Sequence, residues 1–301
     1  MMRSCAIAES AINHGIECLF AGDLGGIAWL ENVVRNIGFS QLIQASALTE
    51  ISTKSDVLVL DTYLFSESWV LELPWRGKVA VVDPFTPDFN VDIRIHPGLE
   101  SEWPSNGKSI FLGEGRYLLV RKDFRKIEVK QKRDNLAREI LVIGGGTDPF
   151  GFCSSFANEL KTFSGDFNIR LITDTPNYTL NDRRFTFHNI GANFLELLTK
   201  ADVIFSPASS LALEVVASGL PLGVVCAAEN QHSNYQKLIS GNFAIDVGMK
   251  TLNGSWHFHP NHVELLLKSN ALRKRLVENC SKNFDLLGAD RLLAYILETY
   301  A

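Results

Sequence analysis

The sequence has no basic excess: 29 lysines and arginines stand against 34 aspartates and glutamates, for a net charge of −5. That balance argues against nucleic acid or an anionic membrane as a partner, because both are held by clustered cations. A local pocket of backbone amides can still bind phosphate. No apolar run approaches the ~18 residues needed to span a bilayer, and the N-terminus lacks the charged-then-apolar order of a signal peptide. There is no C-x-x-C pair either. The five cysteines (Cys5, Cys18, Cys153, Cys226 and Cys280) are odd in number and scattered, mostly within apolar segments, the usage of reduced core thiols. Repeats and low-complexity tracts are also missing. A soluble cytoplasmic protein is expected.

What is present is apolar surface. With 301 residues, 46% of them hydrophobic, the chain is able to bury two cores. In the second half, strand-like apolar runs ("EILVIGGG", "NIRLITD", "RFTFHNI", "DVIFSPA", "PLGVVCAA") alternate with helix-period segments. Strands so continuously apolar are buried on both faces, as in a parallel sheet covered by helices. The first half alternates less cleanly, through "IECLF", "DVLVLD", "KVAVVD", "DIRI" and "SIFLG". The reading is α/β, with two doubly wound Rossmann-type domains. An N-terminal domain at 1–124 is followed by a charge-rich linker at 125–134 and a C-terminal domain at 135–301, whose last helix is expected to pack back on the first. A doubly wound domain opens with a strand and a glycine turn. This chain opens on the helix-like "MMRSCAIAESAINHG", so the first strand of the N-terminal domain is expected to be missing.

The chemistry gathers where strands end. "SSLALEVVASGLPLGVVCAAENQ" reads as a helix over Leu211 to Ala217, a stop at Gly219 and Pro221, and a strand over Leu222 to Ala227. It carries a lone acid, Glu214, whose burial is costly without a partner. Ser209 and Ser210 stand at the start of that helix, where a hydroxyl either caps the helix or donates to a bound anion. Gly144, Gly145 and Gly146 follow the strand Leu141 to Ile143 and precede a helix at about Phe152. They form either a plain tight turn or a loop whose amides face a phosphate, without matching G-x-G-x-x-G or a Walker loop. Asn230 and Gln231 follow the next strand at the carboxyl edge, where open α/β sheets bind ligands. Asp61 and Tyr63 end one strand of the first half, and Asp83 ends another. Tyr63 reads as a ring against a sugar, a proton-transfer aid or a boundary tyrosine. His257, His259 and His262 read as a solvated loop in preference to a metal site.

In order and spacing, "RSCAIAES", "DTY", "VVDPF", "FLGEGRYLLVRKDF", "ILVIGGGTDP", "ADVIFSPASSLALEVVASGLP", "AENQHSN" and "LLGADRL" resemble the UDP-sugar hydrolase family of the pseudaminic acid pathway. That family is related in fold to the UDP-GlcNAc transferase of peptidoglycan synthesis. The resemblance spans nearly the whole chain and implies a GT-B architecture, with the nucleotide held mainly by the C-terminal domain in a cleft between the halves. It implies a diphosphate site at Gly144, Gly145, Gly146, Ser209 and Ser210, ribose contacts from Glu214, and a uracil contact from the main chain near Ile190. Asn230 and Gln231 are implied at the sugar, and Tyr63 with Asn230 in catalysis; no metal or cofactor is called for. One departure stands out. The family's first strand leads into a glycine loop ending G-H-x-x-R, whose histidine serves as base. Here Met1-Met2-Arg3 aligns with x-x-R, which puts that histidine immediately before residue 1, and His14 lies too far along the same helix to replace it. The implied activity is hydrolysis of a UDP-linked amino sugar at the anomeric carbon, releasing UDP, in nonulosonic acid or surface-glycan biosynthesis. A glycosyltransferase using a UDP-sugar donor and a catalytically impaired nucleotide-sugar-binding protein are the alternatives.

Overall fold

The computed structural model describes residues 2–50, 56–63, 66–88, 90–104, 109–127, 135–173, 181–189, 191 and 193–300. The chain divides into two compact units, Met1–Lys122 together with Leu286–Ala301, and Asp123–Asp285. Of the linker expected at 125–134, residues 128–134 lie outside the described residues. Just before them, Lys122–Lys126 forms a 3-10 helix with Phe124 buried.

The first described element is helix α1 (Met2–Asn13), which buries the small residues Cys5, Ala6, Ala8, Ser10 and Ala11 along with Ile7. Strand β1 (Leu19–Ala21), helix α2 (Ala28–Ile37), strand β2 (Gln41–Ile43), strand β3 (Val57–Leu60), helix α3 (Glu67–Glu72) and strands β4 (Gly77–Val81), β5 (Ile93–Ile95) and β6 (Ile110–Leu112) follow. All pair in parallel, but in two sheets: β3-β4-β5-β6, and β1 with β2 alone. Among the described residues no strand bridges β1 and β3. The period of two along a strand sorts the larger sheet's side chains between faces. Val79, Val81, Ile93 and Ile95 meet α1 residues on one face, while Leu58, Leu60, Ala80 and Val82 meet Val70 and Leu73 on the other.

The second unit runs β7 (Glu139–Ile143), α4 (Phe152–Lys161), β8 (Asn168–Ile172), β9 (Phe185–His188), α5 (Phe194–Lys200), β10 (Val203–Pro207), α6 (Ser210–Ala217), β11 (Leu222–Cys226), α7 (His232–Ser240), β12 (Ile245–Lys250), β13 (Trp256–Phe258), α8 (Pro260–Lys268) and α9 (Asn270–Asn283). Its seven strands are ordered β13-β12-β11-β10-β7-β8-β9, parallel except for the edge strand β13. β10 is buried along its whole length and β7 over its last four residues, as central parallel strands must be when helices cover both faces. The chain winds outward from β7 through β8 to β9, then returns to the other side of β7 to lay down β10. Strand order therefore reverses between β7 and β10.

The last helix, α10 (Gly288–Tyr300), belongs to the first unit. Ala289, Leu292 and Ile296 join the cluster of Ala6, Ile7, Val79 and Val81. Ser10 Oγ donates to Asp290 at 2.5 Å and Tyr300 Oη to Asp92 at 2.8 Å. Among the described residues no helix is long and apolar enough to cross a membrane.

The start of α10 lies so close to the 117–118 backbone that a Cβ on Gly288 would sit 2.2 Å from the Leu118 carbonyl oxygen. Backbone cannot yield as a side-chain tip does. Gly288→Ala is therefore expected to destabilise the protein by about 1–3 kcal/mol, read as a lower urea midpoint at unchanged slope.

Candidate nucleotide site and a charged cluster

In the second unit the register Ile204↔Leu141 and Phe205↔Val142 aligns β10 with β7. Their following loops leave the same edge one strand spacing apart, about 4.8 Å. One loop carries Gly144 to Gly146 and the other Ser209 and Ser210. The topology thus brings these two groups of sequence candidates together at the reversal of strand order.

The glycine loop is shaped by an acid that sequence reading passed over. Asp148 is buried, with φ +45°, and its carboxylate accepts from the amides of Phe152 at 2.8 Å and Cys153 at 3.1 Å. A Cβ on Gly144 would lie 2.2 Å from Asp148 Cγ, and Gly145 has φ +96°; the first glycine makes room for the acid and the second turns the chain. Burial outweighs the two amides and holds the Asp148 carboxyl above its ordinary range. The first turn of α4 is thereby closed from within. Gly145 is half-buried, and Gly146 and Thr147 face outward. Beyond them the Phe150 carbonyl accepts from Trp256 Nε1 at 3.3 Å, and Lys250 Nζ lies 4.8 Å from the Phe150 ring centroid, which anchors the far end of the loop.

The start of α6 is arranged the opposite way. Ser209 occupies the N-cap position in extended backbone, yet its hydroxyl makes no capping bond, and Oγ is buried without a hydrogen-bond partner. Its carbonyl receives Ala212 N at 3.0 Å and Leu213 N at 3.4 Å. The amides of Ser210 and Leu211 have no intrahelical acceptor, by the geometry of a helix start. Ser210 is exposed, and Glu214 lies one turn on, buried at 3% exposure. Farther along the same edge Gln231 Oε1 accepts from Ala227 N at 3.1 Å, closing its loop, while Asn230 is exposed. Four more described atoms resemble Ser209 Oγ in being buried and unpartnered: Trp29 Nε1 and Trp75 Nε1 in the first unit, and in the second Asn234 Oδ1 in the first turn of α7 and His188 Nε2 at the end of β9. Burial, then the Arg170 guanidinium, hold His188 below the ordinary histidine range. Neither His188 nor Asn234 is singled out by the sequence; the signal for His188 is a polar side chain at the carboxyl end of a strand, and for Asn234 a polar side chain in the first turn of the helix after one. Ile190 lies outside the described residues.

In the first unit Arg3, Ser4, Asp61, Tyr63 and Asp83 form one cluster at the carboxyl ends of β3 and β4. Arg3 donates to Asp61 through Nε at 2.8 Å and Nη2 at 2.6 Å, and to Asp83 through Nη1 at 2.9 Å. Ser4 Oγ donates to the second Asp61 oxygen at 2.5 Å. Tyr63 Oη donates to Asp83 Oδ2. Burial opposes the ionisation of Asp61, but Arg3 prevails and keeps its carboxyl well below the ordinary range. The Tyr63 phenol is pushed up to about 12 by burial and by its bond to Asp83. Sequence reading had marked Asp61, Tyr63 and Asp83 separately; only the fold makes Arg3 their common partner.

The three histidines lie not in a loop but on β13 and around the start of α8. Their rings are spaced 5.2 Å (His257 to His259) and 5.4 Å (His259 to His262), and His262 Nδ1 is 2.7 Å from the Asp246 carbonyl oxygen. Among the described residues no group of three or more His, Cys, Asp or Glu side chains is arranged to hold a metal ion.

No family model matches the chain. It is 24% identical over 245 residues to the uncharacterized protein MJ1062 of Methanocaldococcus jannaschii, an alignment covering 70% of this chain and 50% of that protein. The chain thus spans about half the length of that relative. Among solved structures it is similar to Acinetobacter baumannii MurG, with TM-score 0.64, 10% identity, and 98% and 95% of the two chains covered. The S. aureus MnaA-UDP co-structure matches with TM-score 0.61, 10% identity and coverage of 98% and 92%. The UDP-GlcNAc 2-epimerase of Neisseria meningitidis bound to UDP-GlcNAc matches with TM-score 0.59, 11% identity and coverage of 98% and 97%. At such identities the likeness is one of fold. The fold is GT-B-like, built from two Rossmann-type α/β domains.

The ion pair yields a pH test. The Asp61 pKa is depressed in the folded state from 3.8, so the pair's stability is complete above the unfolded value and lost as pH falls through and below it. Asp61→Asn is expected to cost up to roughly 3 kcal/mol near neutrality. In urea melts from pH 7 down to pH 3 the gap to wild type should narrow as the acid limit is approached; a gap independent of pH would contradict the assignment.

Proposed function

We propose that the second unit binds a UDP-sugar and that the protein hydrolyses it at the anomeric carbon, releasing UDP. The observation that carries this reading is Ser209 Oγ, buried and unpartnered at a helix start whose first amides have no intrahelical acceptor. An orphaned hydroxyl beside free amides costs free energy in the empty protein and recovers it when an anion accepts from both. The diphosphate is assigned to Ser209, Ser210 and the outward backbone of Gly145 and Gly146, with Gly144 giving the loop its form. Glu214 is assigned to the ribose hydroxyls, the main chain at Ile190 to the base, and Asn230 with the remaining amide group of Gln231 to the sugar. The start of α4 is left out, because the Asp148 carboxylate already occupies its amides and would repel a phosphate.

In hydrolysis, water adds to the anomeric carbon while the bond from that carbon to the β-phosphate oxygen breaks. The electron pair leaves with UDP, and the water's proton passes to solvent. Negative charge grows on the leaving oxygen, where the donors at the α6 start stabilise it most. Support for UDP as the leaving group comes from the fold shared with the UDP- and UDP-GlcNAc-bound structures. Support for water as the acceptor, for Tyr63 and Asn230 in catalysis, and for an acetamido sugar of the pseudaminic acid type comes from the motif resemblance.

Calorimetry with UDP tests the nucleotide assignment. Wild type should bind UDP, and Ser209→Ala should bind roughly tenfold more weakly without loss of thermal stability, since Oγ has no partner to lose. UDP release from UDP-linked diacetamido sugars, assayed with and without added sugar acceptors, tests the reaction. Release only with an acceptor would reassign the activity to glycosyl transfer; binding without release would leave a nucleotide-sugar-binding protein.

A further inference from the structure

The charged cluster of the first unit has a direction. The Asp83 carboxylate is surrounded by donors: Tyr63 Oη and Arg3 Nη1 donate to Oδ2, and the Phe85 amide at 3.0 Å and Thr86 Oγ1 at 3.5 Å donate to Oδ1. Arg3 is fixed in turn by its two bonds to Asp61, which Ser4 also holds. The Asp83 carboxylate has no donor of its own, so the one proton on the phenol is spent on it. Tyr63 is nevertheless 48% exposed, a polar ring carried at the carboxyl edge of its sheet on a buried frame.

We infer that Asp83 is a positioning residue that commits the Tyr63 proton inward, so that Tyr63 meets a ligand as a hydrogen-bond acceptor and not as a general acid or base. The groups it suits are a hydroxyl or an amide N–H, both of which an acetamido sugar carries; this last step rests on the function proposed above. A phenol able to act as base must be ionised at the working pH. Here burial and the adjacent Asp83 carboxylate oppose a second negative charge and outweigh the Arg3 guanidinium, which favours one, so the phenol pKa is raised. Asp83 is equally unsuited to be the base, because four donors surround it and its own carboxyl is held low. The phenol oxygen also accepts from Arg3, and what the cluster leaves available is its remaining acceptor capacity, held in one place.

Asp83→Asn should reverse that polarity. An amide offers one acceptor and one donor group. The Phe85 N–H cannot turn away, whereas the phenol hydrogen can, so the amide oxygen should face Phe85 and its NH2 group should face Tyr63. The phenol then accepts from inside and donates outward. Tyrosine labelled with 13C at Cζ gives a direct readout, the Tyr63 resonance being assigned by its loss in Tyr63→Phe. The expected wild-type midpoint is about 12, and Asp83→Asn should lower it by about one unit or more toward the ordinary value near 10; Asp83→Glu, which keeps the charge, should hold it high. A wild-type midpoint near 10 overturns the inference without recourse to any variant, as does a midpoint unmoved by Asp83→Asn.

Turnover of a UDP-linked diacetamido sugar tests the ligand-facing half. Asp83→Asn and Tyr63→Phe should each lower kcat tenfold or more while the affinity for free UDP is kept, and the double variant should be no worse than either single one. Wild-type rates in both would overturn the acceptor role. Absence of UDP release by wild type would instead sink the proposed function, while the resonance titration still decides where the Tyr63 proton is held.

Discussion

The pairing of β7 with β10 is the contact on which the second unit depends. These strands are neighbours in space but are separated in the chain by two strands and two helices. Their side chains are buried on both faces, β10 along its whole length and β7 over its last four residues, so apolar packing holds the pairing. Because strand order reverses there, the helices that follow the two strands lie on opposite faces of the sheet, and their loops part at the carboxyl edge, where open α/β sheets bind ligands. The glycine loop and the Ser209–Ser210 pair inherit their positions from that ladder.

Two helices begin at that edge, and they dispose of their free amides differently. At α4 the protein supplies its own anion, Asp148, and gives up a side chain on Gly144 to admit it. At α6 the available hydroxyl is turned away from capping and buried unbonded. Protein interiors rarely leave a polar atom unpaired, because the desolvation cost is not returned. Three such atoms, Ser209 Oγ, Asn234 Oδ1 and His188 Nε2, stand at one edge of one sheet. A self-satisfied helix start beside an unsatisfied one favours α6 over α4 as the place for a ligand's negative charge.

The first unit spends its polar groups in the reverse manner. Arg3 draws two carboxylates into a nearly buried site, and one of them, Asp83, orients an exposed tyrosine. Removing water from such a cluster is costly, and only a dense set of bonds offsets it. Its consequence is that Tyr63 has little freedom of orientation or charge. The second unit keeps donors open; the first presents a fixed acceptor.

Much of this was readable in the residues. Continuous apolar runs became β7, β8, β10 and β11. The segment around Glu214 was expected as a helix over Leu211 to Ala217 and a strand over Leu222 to Ala227, and it folds as Ser210–Ala217 and Leu222–Cys226, with Gly219 at φ +71° between them. These elements are legible because burial on both faces, helical period and glycine turns are local properties. Strand β2 was invisible, having three mostly exposed residues, and so was β12, broken by a bulge opposite Val224 and Val225 and by Gly248 at φ +140°. Partnership was beyond reach for a different reason. Arg3 lies 58 residues from Asp61 and 80 from Asp83, and Asp148 looked like one more polar residue in a turn. Local pattern determines which segments become strands and helices and where their polar ends fall. Which hydroxyl is left unbonded, and which carboxylate takes a phenol's proton, is decided only when sheet order brings distant segments within hydrogen-bond reach and burial makes each unpaired group costly.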